Sequence, residues 1–241
     1  MNADWYRKET TDILRTKPIP RYTGVIGNPY ANIGDMENMG VEIELGYRKS
    51  LGDVNLNVSA NASYVENKVT NLGDVEFYNT TSVQNMGAMA RMAVGQPINS
   101  FFGYERLGIF QTQSEIDAYV NDEGGLIQPD AQPGDFKWAD RDGSGDIDPE
   151  DRTFLGSPIP DWTYGVNIKL DYKGFDLLVF GQGVQGNQIF QGLRRLDINA
   201  ANYQTALGRW TGPGTSNDFP RLTDDDPNKN FQYASDFYIE K

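Results

Sequence analysis

The chain has 241 residues, with 34 acidic and 21 basic side chains, a net charge of −13 at pH 7, and neither cysteine nor histidine. This acidic balance argues against a nucleic-acid partner, because a phosphate backbone needs a basic protein surface. The missing residue types exclude a disulfide framework, a zinc–thiolate site and the Ser-His-Asp and Cys-His nucleophile systems.

The hydropathy pattern predicts an all-β chain without a transmembrane helix. Mean hydropathy is −0.58, and no apolar run approaches the length of about 18 residues that a membrane helix needs. Met1 is followed by Asn-Ala-Asp-Trp, so no secretory signal peptide is expected there. The 26 glycines and the aromatic content of 12% are typical of strands joined by turns.

The first clear element is a long antiparallel hairpin. A weak strand is predicted from Trp5 to Leu14, followed by a Pro- and Gly-rich loop over residues 17–32. Apolar residues then alternate with polar ones over residues 41–48 and 54–64, on either side of a turn at 49–53. The second arm is as long as a tilted membrane strand of about nine to eleven residues, and Tyr47 and Tyr64 suit interfacial girdles. A large soluble sandwich is the alternative.

The remaining elements are predicted from the same signals. A polar loop is expected at 66–84, and two strands are expected at 86–94 and 99–107, joined by a turn at 95–98. A short helix is expected at 115–120, capped by Ser114. A second hairpin is expected at 163–172 and 175–182 with its turn at Lys173-Gly174, followed by partial helix at 188–207 and a last strand at 231–239. The short turns alternate with long loops, at 15–34, 66–84, 108–161 and 183–230. This asymmetry is typical of outer-membrane barrels, which have short periplasmic turns and long extracellular loops.

The stretch from Asp140 to Asp151, DRDGSGDIDPED, predicts a twelve-residue metal loop. Its spacing resembles an EF-type calcium loop, with Gly145 at position 6, where the backbone turns sharply, and the apolar Ile147 at position 8. The candidate ligands are Asp140, Asp142, Ser144, Asp146 through its carbonyl, Asp148 and Asp151. Ser at position 5 and the shorter Asp at position 12 depart from the pattern, and a solvated acidic turn is the alternative.

The metal is expected to be a structural calcium. No helical pattern leads into Asp140, and Pro149 lies inside the loop. The pattern therefore favours a clip that orders a long loop over a helix–loop–helix sensor.

The chain resembles the C-terminal barrel segment of SusC/RagA-type TonB-dependent outer-membrane transporters. The resemblance rests on a strand entering an acidic loop, a Gly-x-Pro-x-Pro turn, a Tyr-Gly strand, a Tyr-Lys-Gly-Phe-Asp turn and a Phe-x-Gln-Gly end. These are Gly134 to Lys137, Asp151-Arg152, Gly156 to Pro160, Tyr164-Gly165, Tyr172 to Asp176 and Phe180 to Gly183. Further similar stretches are Asn32 to Leu45, Val94 to Gln111, Arg209 to Leu222 and Ser235 to Lys241.

The resemblance implies a fold and a function. Residues 1–241 would form antiparallel strands, about eight of them, from part of a 22-stranded outer-membrane β-barrel, with long extracellular loops and short helices in those loops. The whole protein would be a TonB-dependent importer in a bacterial outer membrane of the Bacteroidetes type. Glycan oligomers are the expected cargo and peptides the alternative. A SusD-like surface lipoprotein and TonB would be its partners, and outer-membrane lipid would surround it.

Two other functions would also fit parts of this sequence. A soluble calcium-dependent carbohydrate-binding β-module would share the metal loop and the acidity, but it gives no reason for loops sorted by length. A glycosidase with paired carboxylates would also fit an acidic chain, but so many Asp residues make such a pair uninformative, and no enzyme activity is expected. Four aromatic residues could stack on sugar rings or simply pack in loops and girdles: Trp138, Trp162, Tyr203 and Trp210.

Overall fold

The computed structural model describes residues 1–16, 22, 27, 29–83, 86–194 and 204–240. These residues form two compact units. Unit 1 comprises Met1–Tyr78, Met92–Ile98 and Ser157–Gln188, and unit 2 comprises Asn79–Arg91, Asn99–Gly156 and Ile189–Lys241. Within the described ranges, no helix is long and apolar enough to cross a membrane.

The described elements are almost entirely strands, as the sequence predicts. In chain order they are β1 (Asn2–Thr10), β2 (Leu14–Thr16), β3 (Tyr30–Asn32), β4 (Asp35–Leu51), β5 (Val54–Asn71), β6 (Phe77–Ser82), β7 (Ala88–Ala93), β8 (Ser100–Gly103), β9 (Arg106–Ile109), the helix α1 (Gln113–Asp117), β10 (Phe136–Trp138), β11 (Thr153–Gly156), β12 (Trp162–Tyr172), β13 (Phe175–Gln185), β14 (Ile189–Phe190) and β15 (Ile239–Glu240). Short 3-10 helices lie at Pro149–Asp151, Gly192–Arg194, Gln204–Gly208 and Asp236–Tyr238.

Unit 1 is built on a five-stranded antiparallel sheet in the order β1-β4-β5-β12-β13. Both predicted hairpins lie in it, with β4 paired to β5 and β12 paired to β13. The two hairpins are neighbours because β5 pairs with β12 along the whole length of β12, from Trp162↔Tyr64 to Tyr172↔Val54.

The register of this sheet separates apolar from polar side chains, except in β13, where Leu178, Phe180 and Val184 lie on the otherwise polar face. Cross-strand partners share a face, and the row Leu45↔Ala60, Ala60↔Val166 and Val166↔Gly181 is apolar throughout. The neighbouring row, Glu44↔Asn61, Asn61↔Gly165 and Gly165↔Gln182, is polar. The apolar face remains exposed, and its large side chains include Trp5, Val41, Ile43, Leu45, Tyr47, Tyr64, Trp162, Tyr164, Val166, Ile168, Tyr172, Phe175, Leu177 and Val179.

Both short turns of the sheet lie at the same end of the strands. Gly52-Asp53 joins β4 to β5, and Lys173-Gly174 joins β12 to β13. Lys173 and Gly174 have φ values of +47° and +85°, the left-handed pair that a tight hairpin turn with the right twist needs. The long connections, between β1 and β4 and between β5 and β12, leave from the opposite end.

Several predicted boundaries are wrong, beginning with the first strand, which spans Asn2–Thr10 and not Trp5 to Leu14. The polar loop expected at 66–84 contains the end of β5 and all of β6. Here Asn67 bonds Asn38 and the backbone of Ile98, long-range partners that no local pattern reveals. The strand expected at 231–239 is a 3-10 helix and a two-residue strand, because Phe237 and Tyr238 turn into the core of unit 2. The short helix spans Gln113–Asp117 with Thr112 as its N-cap, and not 115–120 capped by Ser114.

Unit 2 is organised around an aromatic core. Its largest fully buried side chains include Trp138, Tyr238, Phe110, Phe136, Phe231 and Phe237. The predicted strands at 86–94 and 99–107 correspond to β7, β8 and β9. They pair in a four-stranded sheet of order β11-β8-β7-β6 and in the β9–β10 pair, and not with the five-stranded sheet. Of the partial helix predicted at 188–207, the described parts contain the strand β14 and two 3-10 helices, and residues 195–203 lie outside the described residues.

Candidate metal centre

The acidic loop of unit 2 connects β10 to β11 and needs its glycines. Gly143 and Gly145 have φ values of +74° and +89°, a region that side chains with a Cβ rarely adopt. A Cβ on Gly145 would also lie 2.6 Å from Nδ2 of Asn121. The glycine predicted at position 6 is therefore required by both backbone conformation and space.

Three of the predicted ligands lie together. Asp140, Asp142 and Asp151 each place a carboxylate oxygen within 4.8 Å of the other two. Asp151 is fully buried, Asp140 is partly buried and Asp142 is exposed. Carboxylates so close repel one another, and a hard cation between them would remove that repulsion.

Backbone N–H groups already hold these carboxylates in place. Asp140 accepts hydrogen bonds from the backbone nitrogens of Gly143 at 2.8 Å and Gly145 at 3.0 Å. Asp151 accepts from Arg141 at 2.6 Å through one oxygen and from Asp148 at 2.8 Å through the other. A carboxylate has about four lone-pair sites, so these bonds leave room for a metal ion.

The other predicted ligands lie differently. The Ser144 hydroxyl donates to the carbonyl oxygen of Asp146 at 3.2 Å, so the atoms expected at positions 5 and 7 are neighbours. The Asp148 carboxylate accepts from the Glu150 nitrogen at 2.9 Å and caps the 3-10 helix Pro149–Asp151. The carboxylates of Asp146 and Asp148 are not part of the three-carboxylate group.

Hydrogen bonds also set the electrostatics of the loop. The backbone N–H of Ser144 donates to Asp142 at 2.9 Å. This bond, followed by one from the Ser144 hydroxyl, holds the pKa of the Asp142 carboxyl below its ordinary value. A lowered pKa keeps the carboxylate charged in mild acid, as a calcium ligand must be.

Two contacts that stabilise the loop could not be predicted from the sequence. The Arg141 guanidinium donates to Glu105 through Nε at 3.0 Å and also through Nη2. The Tyr119 hydroxyl donates to the carbonyl of Trp138 at 2.7 Å and accepts from the Asp140 nitrogen at 3.4 Å. Glu105 and Tyr119 are distant from the loop in sequence. The sequence alone therefore does not indicate that these two residues contact it.

The predicted aromatic residues occupy three different settings. Trp138 is 1% exposed and donates its indole N–H to the carbonyl of Asn228 at 3.0 Å. Trp162 is 44% exposed on the apolar face of the sheet, with its ring 5.1 Å from that of Tyr64. Trp210 packs against Gly134 and donates to Gln111 at 3.0 Å. Tyr203 lies outside the described residues.

Each unit also has a concave surface. In unit 1 a furrow of about 560 Å³ lies over the polar face and is lined by amide, hydroxyl and carboxylate groups, including Asn2, Asp4, Glu42, Asn61 and Asn167. In unit 2 a smaller cavity of about 160 Å³ lies beside the acidic loop, and Asp146 and Ile147 of that loop line it.

Curated relatives of the chain are TonB-dependent receptors. TonB-dependent receptors P3 and P26 of Formosa agariphila are 33% and 32% identical to it, each over 92% of the chain. TonB-dependent receptor SusC of Bacteroides thetaiotaomicron is 27% identical over 98% of the chain. The chain spans 22% of the length of each of these three relatives. No protein-family profile matches.

Solved structures share the fold. The RagAB peptide importer in its open-open state aligns with 99% of the chain at a TM-score of 0.70 and 22% identity, and the chain covers 24% of it. The closed-closed state aligns at a TM-score of 0.68 over 99% of the chain and 25% of the importer chain, also at 22% identity. The all-β antiparallel architecture of the chain is therefore similar to that of a segment of these longer solved chains.

Proposed function

The chain belongs to the SusC-type TonB-dependent receptors, of which it matches a segment, and we propose that it forms wall strands and outer loops of an outer-membrane importer for glycan oligomers. The observation that carries the proposal is the exposed apolar face of the five-stranded sheet. Apolar patches of this extent are uncommon on soluble monomers. A lipid-facing barrel wall has such a face outside and a polar face inside.

The dimensions of the strands support this assignment. Strands β12 and β13 have 11 residues each, and β4 and β5 have 17 and 18. A tilted membrane strand needs about nine to eleven, so β4 and β5 would extend beyond the hydrocarbon layer. The two tight turns at one end correspond to the periplasmic side, and the long connections at the other end to the outside.

The polar face suits the passage of a hydrophilic solute. The furrow of about 560 Å³ in unit 1 offers amide and hydroxyl groups from Asn61, Ser63 and Thr163 together with the carboxylates of Asp4 and Glu42. Such groups exchange hydrogen bonds with sugar hydroxyls or with peptide amides. Glycan oligomers are proposed as cargo, and the similarity in fold to a peptide importer keeps peptides as the alternative.

The acidic loop is proposed to bind a structural calcium ion through the side chains of Asp140, Asp142, Ser144 and Asp151 and the carbonyl of Asp146. Asp148 would take part through water, as position 9 often does. The ion would order the loop between β10 and β11, which lies in unit 2 and, under this proposal, outside the membrane. A SusD-like lipoprotein over the outer loops and TonB on the periplasmic side are the proposed partners.

Uptake by living cells tests the import proposal. The intact receptor that contains this chain would be expressed in a host lacking other glycan importers, and entry of a fluorescent glycan oligomer would be measured with and without a protonophore. We expect energy-dependent uptake that is lost when tonB is deleted. Energy-independent surface binding without entry would instead identify a calcium-dependent carbohydrate-binding module.

A further inference from the structure

The cavity of about 160 Å³ in unit 2 combines an apolar floor with a charged rim. Ile127 and Trp138 are buried, and Ile147 and Tyr233 are partly buried. Tyr233 stacks on Tyr104 with ring centroids 4.1 Å apart, and Trp138 lies 5.5 Å from it. Because both rings are held by the core, the floor is rigid, and its aromatic edges suit an aliphatic or sugar carbon skeleton.

The side-chain amide N–H groups of the cavity wall are engaged within the protein, so Gln128 and Asn228 have no side-chain N–H left to donate to a ligand. Gln128 donates to Phe136 O and to Asn228 Oδ1, and it accepts from the Trp138 nitrogen. Asn228 donates to Phe136 O and to Asn230 Oδ1. Recognition would therefore depend on the charged side chains of the rim.

The charged groups of the rim are free for a ligand. Asp130, Asp146 and Lys229 all line the cavity and are exposed. Among the described residues, neither carboxylate nor the Lys229 ammonium forms a hydrogen bond or an ion pair. Asp146 stands at loop position 7, where a calcium loop uses the carbonyl oxygen, so its side chain remains available.

The rim segment is also preorganised. The Asp226 carboxylate accepts from the backbone nitrogens of Asn230 at 2.9 Å and Phe231 at 2.8 Å. Lys229 has a φ of +59°, which is uncommon for a residue with a side chain, and its carbonyl accepts from Tyr233 at 3.1 Å. A rigid site loses less entropy when a ligand binds.

We propose that this cavity is a subsite for a primary ammonium group of the transported molecule. The rim carries two carboxylates, Asp130 and Asp146, and one ammonium, Lys229, so it has a net negative charge that favours a cation. Lys229 would donate to a neighbouring oxygen of the same ligand. Such a group is present in an unacetylated amino sugar and in a lysine side chain, and both place an oxygen acceptor on the same molecule. The inference rests on the proposed import function and names the chemistry of one of its substrates.

Calorimetric titration of the intact receptor in detergent, with excess calcium, tests the proposal. The probes are a glucosamine disaccharide and its N-acetylated form, and a lysine tripeptide with acetylated N-terminus and amidated C-terminus and its equally blocked norleucine counterpart. We expect at least one ammonium-bearing probe to bind roughly tenfold more tightly than its neutral counterpart, which corresponds to about 1.4 kcal/mol. Preference within the amino-sugar pair or within the peptide pair identifies the source of the ammonium group.

Variants locate the binding in the cavity. Asp130→Asn removes one rim carboxylate and should abolish the preference for the ammonium probe, whereas Lys229→Met should increase it. Asp225→Asn, an exposed residue of the same unit outside the cavity, is the matched control and should keep the preference. Equal affinity for charged and neutral probes, or a preference that survives Asp130→Asn, would overturn the subsite.

The two proposals fail separately. Ammonium-selective binding without energy-dependent uptake would refute the import function and leave the subsite in place. Uptake by a receptor that binds neutral and ammonium probes equally would refute the subsite alone.

Discussion

At the scale of single residues, the acidic loop is a local sequence motif whose conformation is stabilised by residues distant in sequence. The spacing of Asp140, Asp142 and Asp151 is visible in the sequence, and the structure brings their carboxylates together. The contacts of Tyr119 and Glu105 with this loop could not be predicted, because they depend on how the loop packs in unit 2. The grouping of these carboxylates was therefore predictable, and the residues that orient them were not.

The double substitution Asp140→Ala, Asp142→Ala should abolish calcium binding. It removes two of the three clustered carboxylates, and calcium needs six to eight oxygen ligands. Calorimetric titration with calcium checks this. The pair Asp224→Ala, Asp225→Ala makes the same charge change in an exposed turn and should leave one-site binding intact. Equal loss in both variants would show that only net charge matters.

Alkaline pH should destabilise unit 2 through two stacked tyrosines. Burial raises the pKa of Tyr104 and, through burial and the nearby Asp151 and Asp148 charges, the pKa of Tyr233. The protonated phenols contribute their full stability to the fold at pH values below the unfolded pKa of about 10. That contribution is lost as the pH rises through the folded pKa.

Phenolate absorbance measured together with near-ultraviolet circular dichroism checks this expectation. The Tyr104 and Tyr233 phenols should ionise late and together with loss of tertiary structure, and Tyr233→Phe should remove part of that late phase. Early ionisation of the pair in a folded protein would contradict the assignment.

At the scale of elements, period-two alternation decides what can be predicted. The hairpins β4–β5 and β12–β13 are evident in sequence because the apolar residues of β4, β5 and β12 alternate with polar ones, although β13 has apolar residues on both faces. The end of β5 was missed because Asn67, Lys68 and Thr70 give no such pattern. The strands β7 and β8 were found, but their place in a separate sheet depends on pairing with β11, which is distant in sequence.

Charge should be tolerated on only one face of β12. Val166→Arg places a cation on the apolar face and should cost about 2–4 kcal/mol if that face meets lipid near the midplane. Asn167→Arg, the next residue on the polar face, should cost much less. Denaturant unfolding of the receptor in lipid vesicles measures both. Similar costs for the two variants would contradict a lipid-facing assignment.

A buried ion pair links β10 to the last loop of unit 2. Arg221 donates to the fully buried Asp135 through Nε at 2.6 Å and Nη2 at 3.2 Å, and Asn230 donates to the same carboxylate at 2.9 Å. Arg221→Met should therefore cost about 3–5 kcal/mol, because it leaves a buried charge unpaired. Adding Asp135→Asn should recover part of the loss in thermal unfolding. Strictly additive losses would show that the pair is not coupled.

At the scale of the whole molecule, the two units would have different roles. The five-stranded sheet of unit 1 would provide a membrane wall with a polar inner face, and unit 2 would provide outer loops with a metal clip and a charged cavity. Similarity to TonB-dependent receptors over 92% of the chain supports this division, and composition alone could not have indicated it. A net charge of −13 is compatible with an apolar face because strands separate the two kinds of residue by alternation.

The most direct test of the membrane wall is a spin-label scan along β12. The chain has no cysteine, so single cysteines can be placed at each position from 163 to 170 of the intact receptor in outer-membrane lipid. Collision with lipid-soluble oxygen and with a water-soluble nickel complex would be measured by electron paramagnetic resonance. We expect alternation with period two, with Val166 and Ile168 accessible to oxygen and Asn167 and Lys169 accessible to the nickel complex. Equal access of the nickel complex to both sets would contradict it.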